Sequence, residues 1–356
     1  MNISREQAAC MFYGEEFNEI NKSVLVKRID DIKDVDICYI DDQTDPVLVS
    51  QRKMNINPFR YHKYLSIPET KPINEMPRAQ LTSDTMIITF LNEAFLACSP
   101  HNDEVYSLEC MTTNEILAVV SRYTSLFDDK SSNSFLQWCL RRKIKFTKAT
   151  VSRKRAKGQK EKIGFRNVYA MKRELIDNVA ESIATYLPRY QEYIGNLHKE
   201  GFQVIGYARK SIGKEDEDTR IRLLQNMVER LAKRSLVKKV FVSPSSSASE
   251  KISARDTNEV GIARRLKNVD GNTQDLISFI AATENVCLVV LDFAGITTDA
   301  EDLRSFVQDN SNLKMIVIDQ LPFQHEVKLF QRNQLLNDPQ ALENFICRKS
   351  CVQRSK

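Results

Sequence analysis

No apolar run in this 356-residue chain approaches the ~18 residues of a membrane-spanning helix, so the sequence excludes one. The amino terminus, Met1-Asn-Ile-Ser-Arg-Glu-Gln, lacks the charged-then-apolar layout of a secretion signal. Eight cysteines, at positions 10, 38, 98, 110, 139, 287, 347 and 351, include no C-x-x-C pair. Zinc-finger spacing is therefore absent, and the thiols read as free, in a reducing compartment. Gly206 and Gly213 fit no G-x-G-x-x-G, so a glycine-rich phosphate loop is missing as well. What remains, 42% hydrophobic and 28% charged residues, is the composition of a soluble globular protein long enough for two domains.

Charge is distributed unevenly. Residues 141–173 hold fourteen Lys or Arg and one acid, Glu161, a balance of +13. The whole chain carries +5, so the remainder carries 5 − 13 = −8. Cations concentrated in one short segment are a footprint of nucleic-acid binding. A solvated basic loop or a nuclear-import signal is the bland alternative, and phosphate attraction alone does not separate DNA from RNA.

Residues 1–80 read as a poorly defined acidic and proline-rich region. Residues 1–45 carry eleven acids against five Lys or Arg, and five of ten prolines fall between Pro46 and Pro77. Val24-Leu-Val26 and Ile37–Ile40 are candidate strands, and 46–77 a candidate irregular connector. Residues 81–173 read as a small, mainly helical, winged helix-turn-helix-like DNA-binding domain. A helix follows the capping box Thr112-Thr-Asn-Glu115, with apolar positions from Ile116 to Phe127. A second helix runs from Ser134 to Lys143 with the only tryptophan, Trp138. A third, Lys148–Lys157, is closed by Gly158, and 159–171 form a hairpin or wing. On that reading Lys148, Arg153, Lys154, Arg155 and Lys157 on the third helix, and Lys160, Lys162 and Arg166 on the wing, face the nucleic acid. Residues 174–200 read as a connecting helix, kinked at Pro188.

From residue 201 to 325 short apolar strands (Val204–Tyr207, Val240–Val242, Val286–Leu291, Met315–Ile318) alternate with helical patterns near 218–235, 273–284 and 299–310. That alternation predicts a parallel sheet with right-handed crossovers, and 326–356 a carboxyl-terminal helix and tail. The first strand ends in Ile205-Gly-Tyr-Ala-Arg-Lys-Ser211. Tyr207, Arg209 and Ser211 stand at i, i+2 and i+4 and so share one face of an extended chain, at the sheet edge where ligands collect in such folds. A hydroxyl beside a guanidinium suits attack on a phosphodiester, because the cation neutralises the phosphate under attack.

This stretch resembles the first motif of the serine recombinases, the resolvase and invertase family. The resemblance continues through the serine-rich loop Ser243–Ser249 to Arg255, and through Val286–Leu291 into Asp292-Phe-Ala-Gly295. It implies a resolvase-type, flavodoxin-like α/β domain in which Ser211 attacks DNA to form a phosphoserine bond. Arg209 and Arg255 would bind the scissile phosphate, Tyr207 would complete the motif, and Asp292 would orient an arginine. No cofactor or metal is implied, nor any small-molecule substrate. The implied partner is DNA, bound by a homodimer or tetramer, with a nuclear location in a eukaryote and the nucleoid otherwise. A basic module placed first is similar to the serine transposases with an amino-terminal helix-turn-helix. The sequence departs from the family at Phe293 and Ile296, where two catalytic arginines are expected, and Gln225 is the displaced counterpart of an expected glutamine. Two alternatives stay open: an inactive, regulatory DNA-binding descendant, and an unrelated α/β module for a small phosphorylated ligand.

Overall fold

A computed structural model describes residues 2–40, 42–66, 79–155, 162–211, 213–257, 261–321 and 325–346. The fold is mixed α/β with several sheets, and the chain divides into two units, Met1–Tyr186 and Leu187–Lys356. No described helix is long and apolar enough to cross a membrane.

The first unit opens with ordered structure, which corrects the expectation of a poorly defined region over 1–80. Helix α1 (Arg5–Tyr13) starts at a capping box in which the Ser4 hydroxyl accepts from the Gln7 N–H at 3.2 Å, and the Gln7 side chain accepts from the Ser4 N–H at 3.0 Å. Helix α2 (Glu19–Asp30) absorbs Val24–Val26, expected as a strand, because Asn18 caps the first turn and accepts from Ile20 and Asn21. Strand β1 (Val35–Tyr39) lies between β2 (Val47–Ser50) and β3 (His62–Lys63), antiparallel to both, with α3 (Gln51–Ile56) joining those two. The supposed connector 46–77 therefore holds two strands and a helix; residues 67–78 lie outside the described ones.

The rest of this unit runs α4 (Asp84–Ala94), β4 (Phe95–Leu96), β5 (Tyr106–Thr112), α5 (Thr113–Val120), α6 (Ser132–Arg141), a 3-10 turn at Lys145–Lys148, β6 (Val151–Arg155) and β7 (Lys162–Met171). The Thr112–Glu115 capping box begins α5 with both reciprocal bonds, but the helix stops at Val120 and not near Phe127. Interlocked rings fill the core beneath: Phe127 meets Phe135 at 5.0 Å and Trp138 at 5.2 Å, each edge to face. The expected helix Lys148–Lys157 is not formed. Only Lys148 falls in the 3-10 turn, and Val151–Arg155 pair antiparallel with Lys162–Arg166. Long β7 carries β5 along one edge and β6 with β4 along the other, so the "wing" is the central strand of a four-stranded sheet and the module is not mainly helical. Pairing to an available strand edge outweighs the helix propensity of Arg and Lys here.

Helix α7 (Arg173–Lys199) runs through Pro188 and across the division between the units. In the second unit, β8 (Gln203–Arg209), α8 (Glu217–Ser235), β9 (Lys239–Ser243), α9 (Thr273–Ala282), β10 (Val286–Val290), α10 (Phe293–Ile296), α11 (Ala300–Asp309) and β11 (Leu313–Asp319) follow in turn. The segment expected to be a terminal helix instead begins with a strand, β12 (Val327–Gln331), before short α12 (Arg332–Asn337) and α13 (Pro339–Glu343). Sheet order is β9-β8-β10-β11-β12, parallel except for β12. The chain moves outward from β8 to β9, then returns to the other side of β8 at β10. That reversal marks a topological switch point at the carboxyl ends of β8 and β10, where open α/β sheets commonly bind ligands.

Gly206 lets α8 approach β8: a Cβ there would stand 3.1 Å from both Leu231 and Val237. We expect Gly206→Val to lower unfolding stability by about 1–3 kcal/mol, read from the urea midpoint; an unchanged midpoint would show that the helix yields without strain.

Candidate functional site

The carboxyl end of β8 brings three of the expected residues to the reversal point. Arg209 donates from Nη1 to Ser211 Oγ at 2.8 Å, and Ser211 is half-buried. Serine and guanidinium are therefore neighbours. The rest of that guanidinium is turned inward. Its Nε and Nη2 donate to the Ala294 carbonyl at 3.3 and 2.7 Å, and Nη1 also donates to the Ser246 carbonyl at 2.5 Å. Arg209 is 1% exposed.

Arg255 behaves alike and is 0% exposed. Its Nε and Nη2 donate to the Glu250 carbonyl at 3.1 and 2.7 Å, and Nη1 donates to the Ile296 carbonyl at 2.5 Å and to the Tyr207 hydroxyl at 3.4 Å. Both arginines thus rivet the loop after β9 to the turn after β10, through main-chain oxygens that a guanidinium fork satisfies in pairs. Tyr207 is buried in the same layer, its hydroxyl 3.0 Å from Thr273 Oγ1.

Asp256, which motif reasoning passed over, ties this layer together. Its carboxylate accepts from Ser243 Oγ at 3.0 Å, from Ser246 Oγ at 3.4 Å, and from Thr273 through both its N–H at 3.2 Å and its hydroxyl. It stands in the left-handed backbone region, φ 56°, which Asp tolerates better than most side chains. The only trace in the sequence is an acid beside Arg255. Asp302 lies nearby on α11, accepting from the Ile252 N–H and from Thr297. Burial raises its carboxyl above the ordinary range, and Arg255 pulls the other way.

Asp292 is buried at the end of β10. The two positions where the resemblance expects arginines are core. Phe293 packs edge to face on Phe345 at 5.0 Å and on Phe330 at 5.9 Å, and Ile296 is buried in the same cluster. Gln225 is turned elsewhere, accepting from the Lys267 N–H at 2.9 Å and donating to Glu229 at 3.2 Å. Of the other candidate cations, Lys210 is paired to Glu215 at 2.8 Å, and Arg265 to Glu217 and Asp218. Lys210 foremost holds the Glu215 carboxyl below its usual range. Among the described residues no three His, Cys, Asp or Glu side chains group as a metal site requires.

The basic residues are dispersed. Lys148 is exposed at the end of the 3-10 turn and Arg153 is exposed on β6. Lys154, Arg155 and Lys162 fall in the β6–β7 ladder, while Lys157 and Lys160 lie outside the described residues. Arg166 is buried and donates to Thr113 Oγ1 at 3.1 Å, so it holds α5 to β7 and offers nothing to a ligand. Burial lowers its pKa.

Compared with protein-family models, curated proteins and solved structures, the chain matches none.

Proposed function

We propose that this protein binds duplex DNA and that its second unit is a serine-recombinase frame which no longer transfers strands. The observation that carries the second half is the withdrawal of Arg209 and Arg255, 1% and 0% exposed, onto main-chain carbonyls. Strand transfer without a metal needs cations aimed at the developing phosphate charge. Removing one preorganised donor typically lowers such a rate roughly 10²–10³-fold. Here two arginines are turned inward, and two more are replaced by buried Phe293 and Ile296. The strand order with one antiparallel edge strand supports the flavodoxin-like, resolvase-type reading, and so does the meeting of Arg209 and Ser211 at the reversal point.

The first half rests on the basic segment and on element order. Helix, two strands, two helices and an antiparallel hairpin whose β7 pairs with both earlier strands, α4 to β7, follow the order of a winged helix with one short strand added. In that reading α6 takes the recognition position that the sequence alone assigned to 148–157. A homodimer or tetramer on DNA and a nuclear or nucleoid location remain part of this proposal.

The test is a trapping reaction on nicked duplexes taken from the sequences flanking the gene. Wild type and Ser211→Ala are expected to bind alike, with salt-dependent affinity, and to yield no covalent adduct. An adduct formed by the wild type and lost in Ser211→Ala would restore the recombinase.

A further inference from the structure

Helix α6 presents two unlike faces. Phe135, Trp138 and Cys139 are buried in the unit's core. Asn133, Gln137, Leu140 and Arg141 are exposed, one side chain per turn along the opposite stripe. The segment Ser131–Arg155 itself has eight Lys or Arg and no Asp or Glu. The two arginines that end the helix differ in kind. Arg142 is paired to Asp84 and lies 4.1 Å over the Trp138 ring, so it is fixed to the protein. Arg141 is exposed and makes one bond, from Nε to the Gln137 carbonyl at 3.3 Å.

Resting on the duplex-binding reading above, we infer that α6 reads base edges in the major groove through Asn133, Gln137 and Arg141, and that Arg153 and Lys148 serve only the phosphates. The side-chain types match the groove's chemistry. Asn and Gln pair bidentately with adenine N6 and N7, Arg pairs with guanine O6 and N7, and an exposed Leu140 suits a thymine methyl. The groove is about 12 Å wide, which admits one helix with its side chains. The ligand is therefore duplex DNA whose preferred site contains adenine and guanine within one turn. Single-stranded or A-form RNA, with a major groove too deep and narrow to enter, is the competing ligand.

The experiment selects preferred sites from a random duplex pool with the full chain, then repeats the selection with Gln137→Ala, Arg141→Ala, Arg142→Ala and Arg153→Ala. Wild type is expected to enrich a short motif. Gln137→Ala and Arg141→Ala should each relax one position, lowering discrimination there roughly ten- to a hundredfold while leaving non-specific affinity and its salt slope close to wild type. Arg153→Ala should weaken all duplexes evenly and reduce the salt slope by about 1. Arg142→Ala should leave the motif unaltered. Far-UV circular dichroism checks that each variant is folded. If wild type binds no duplex, the proposed function itself fails. If it binds and enriches a motif that survives both α6 substitutions, only the assignment to α6 falls. Binding without any motif, or preference for RNA, overturns the assignment as well.

Discussion

Arg255→Ala is expected to lower the unfolding free energy of the second unit by about 3–5 kcal/mol, a loss that a purely catalytic arginine would not produce. The side chain is fully buried and supplies the partners of the Glu250 and Ile296 carbonyls. An oxygen left unsatisfied in the interior costs about 1–3 kcal/mol. Arg255→Lys should recover little, because a point ammonium cannot bond two separated carbonyls as the planar fork does. Far-UV circular dichroism follows both units during urea unfolding, whereas emission from Trp138, the sole tryptophan, follows the first; the difference isolates the second. The deficit should also depend on pH. Asp302 already has a raised carboxyl pKa, and losing Arg255 raises it further. A group with a raised folded-state pKa favours the folded state most when protonated and loses that contribution as pH rises through the folded value. The variant's deficit is thus largest at neutral pH and shrinks on acidification toward the unfolded carboxylate pKa. A deficit independent of pH would remove Asp302 from this account, and no deficit would return Arg255 to the list of residues kept for a ligand.

Phe293→Arg should be equally severe, although it reinstates the residue that the recombinase resemblance calls for. Removing a buried phenylalanine typically costs about 3–5 kcal/mol, and a guanidinium among Phe330, Phe345 and Ile296 would add unpaired charge to the cavity. Little soluble protein is expected, or a urea midpoint lower by at least the equivalent of about 4 kcal/mol, with no strand-transfer activity. A stable Phe293→Arg protein that forms an adduct through Ser211 would mean that the aromatic cluster opens readily and that activity needs only its cations back.

The buried parallel strands were the most legible part of the sequence. Strands covered on both faces read as unbroken apolar runs, and Val286–Val290 is buried throughout. Two edge strands were not legible, although the edge strand β9 was read as Val240–Val242. Val327–Gln331 and Val151–Arg155 mix charge with apolar residues, and each forms because a neighbour offers an unpaired edge, which no local pattern records. The site divides in the same way. Spacing placed Arg209 beside Ser211, a short-range fact. It could not tell which way the guanidinium fork turns, because Ser246, Ala294, Glu250 and Ile296 receive it through their main chains, and any residue type offers a carbonyl.

Helix α7 serves two interiors in succession. Leu175, Ile176, Val179, Ala180 and Ile183 belong to the first unit's core, whereas Tyr190 bonds Ser235 at 2.9 Å and Tyr193 meets the Met315 sulfur at 3.4 Å in the second. A cut at the division would leave each fragment with a stub of roughly a dozen residues, a length at which an isolated helix is marginal in water. Anyone dissecting the protein would do better with overlapping fragments that both keep the whole of 173–199, since neither half can be trimmed without opening a seam in the part it was meant to preserve.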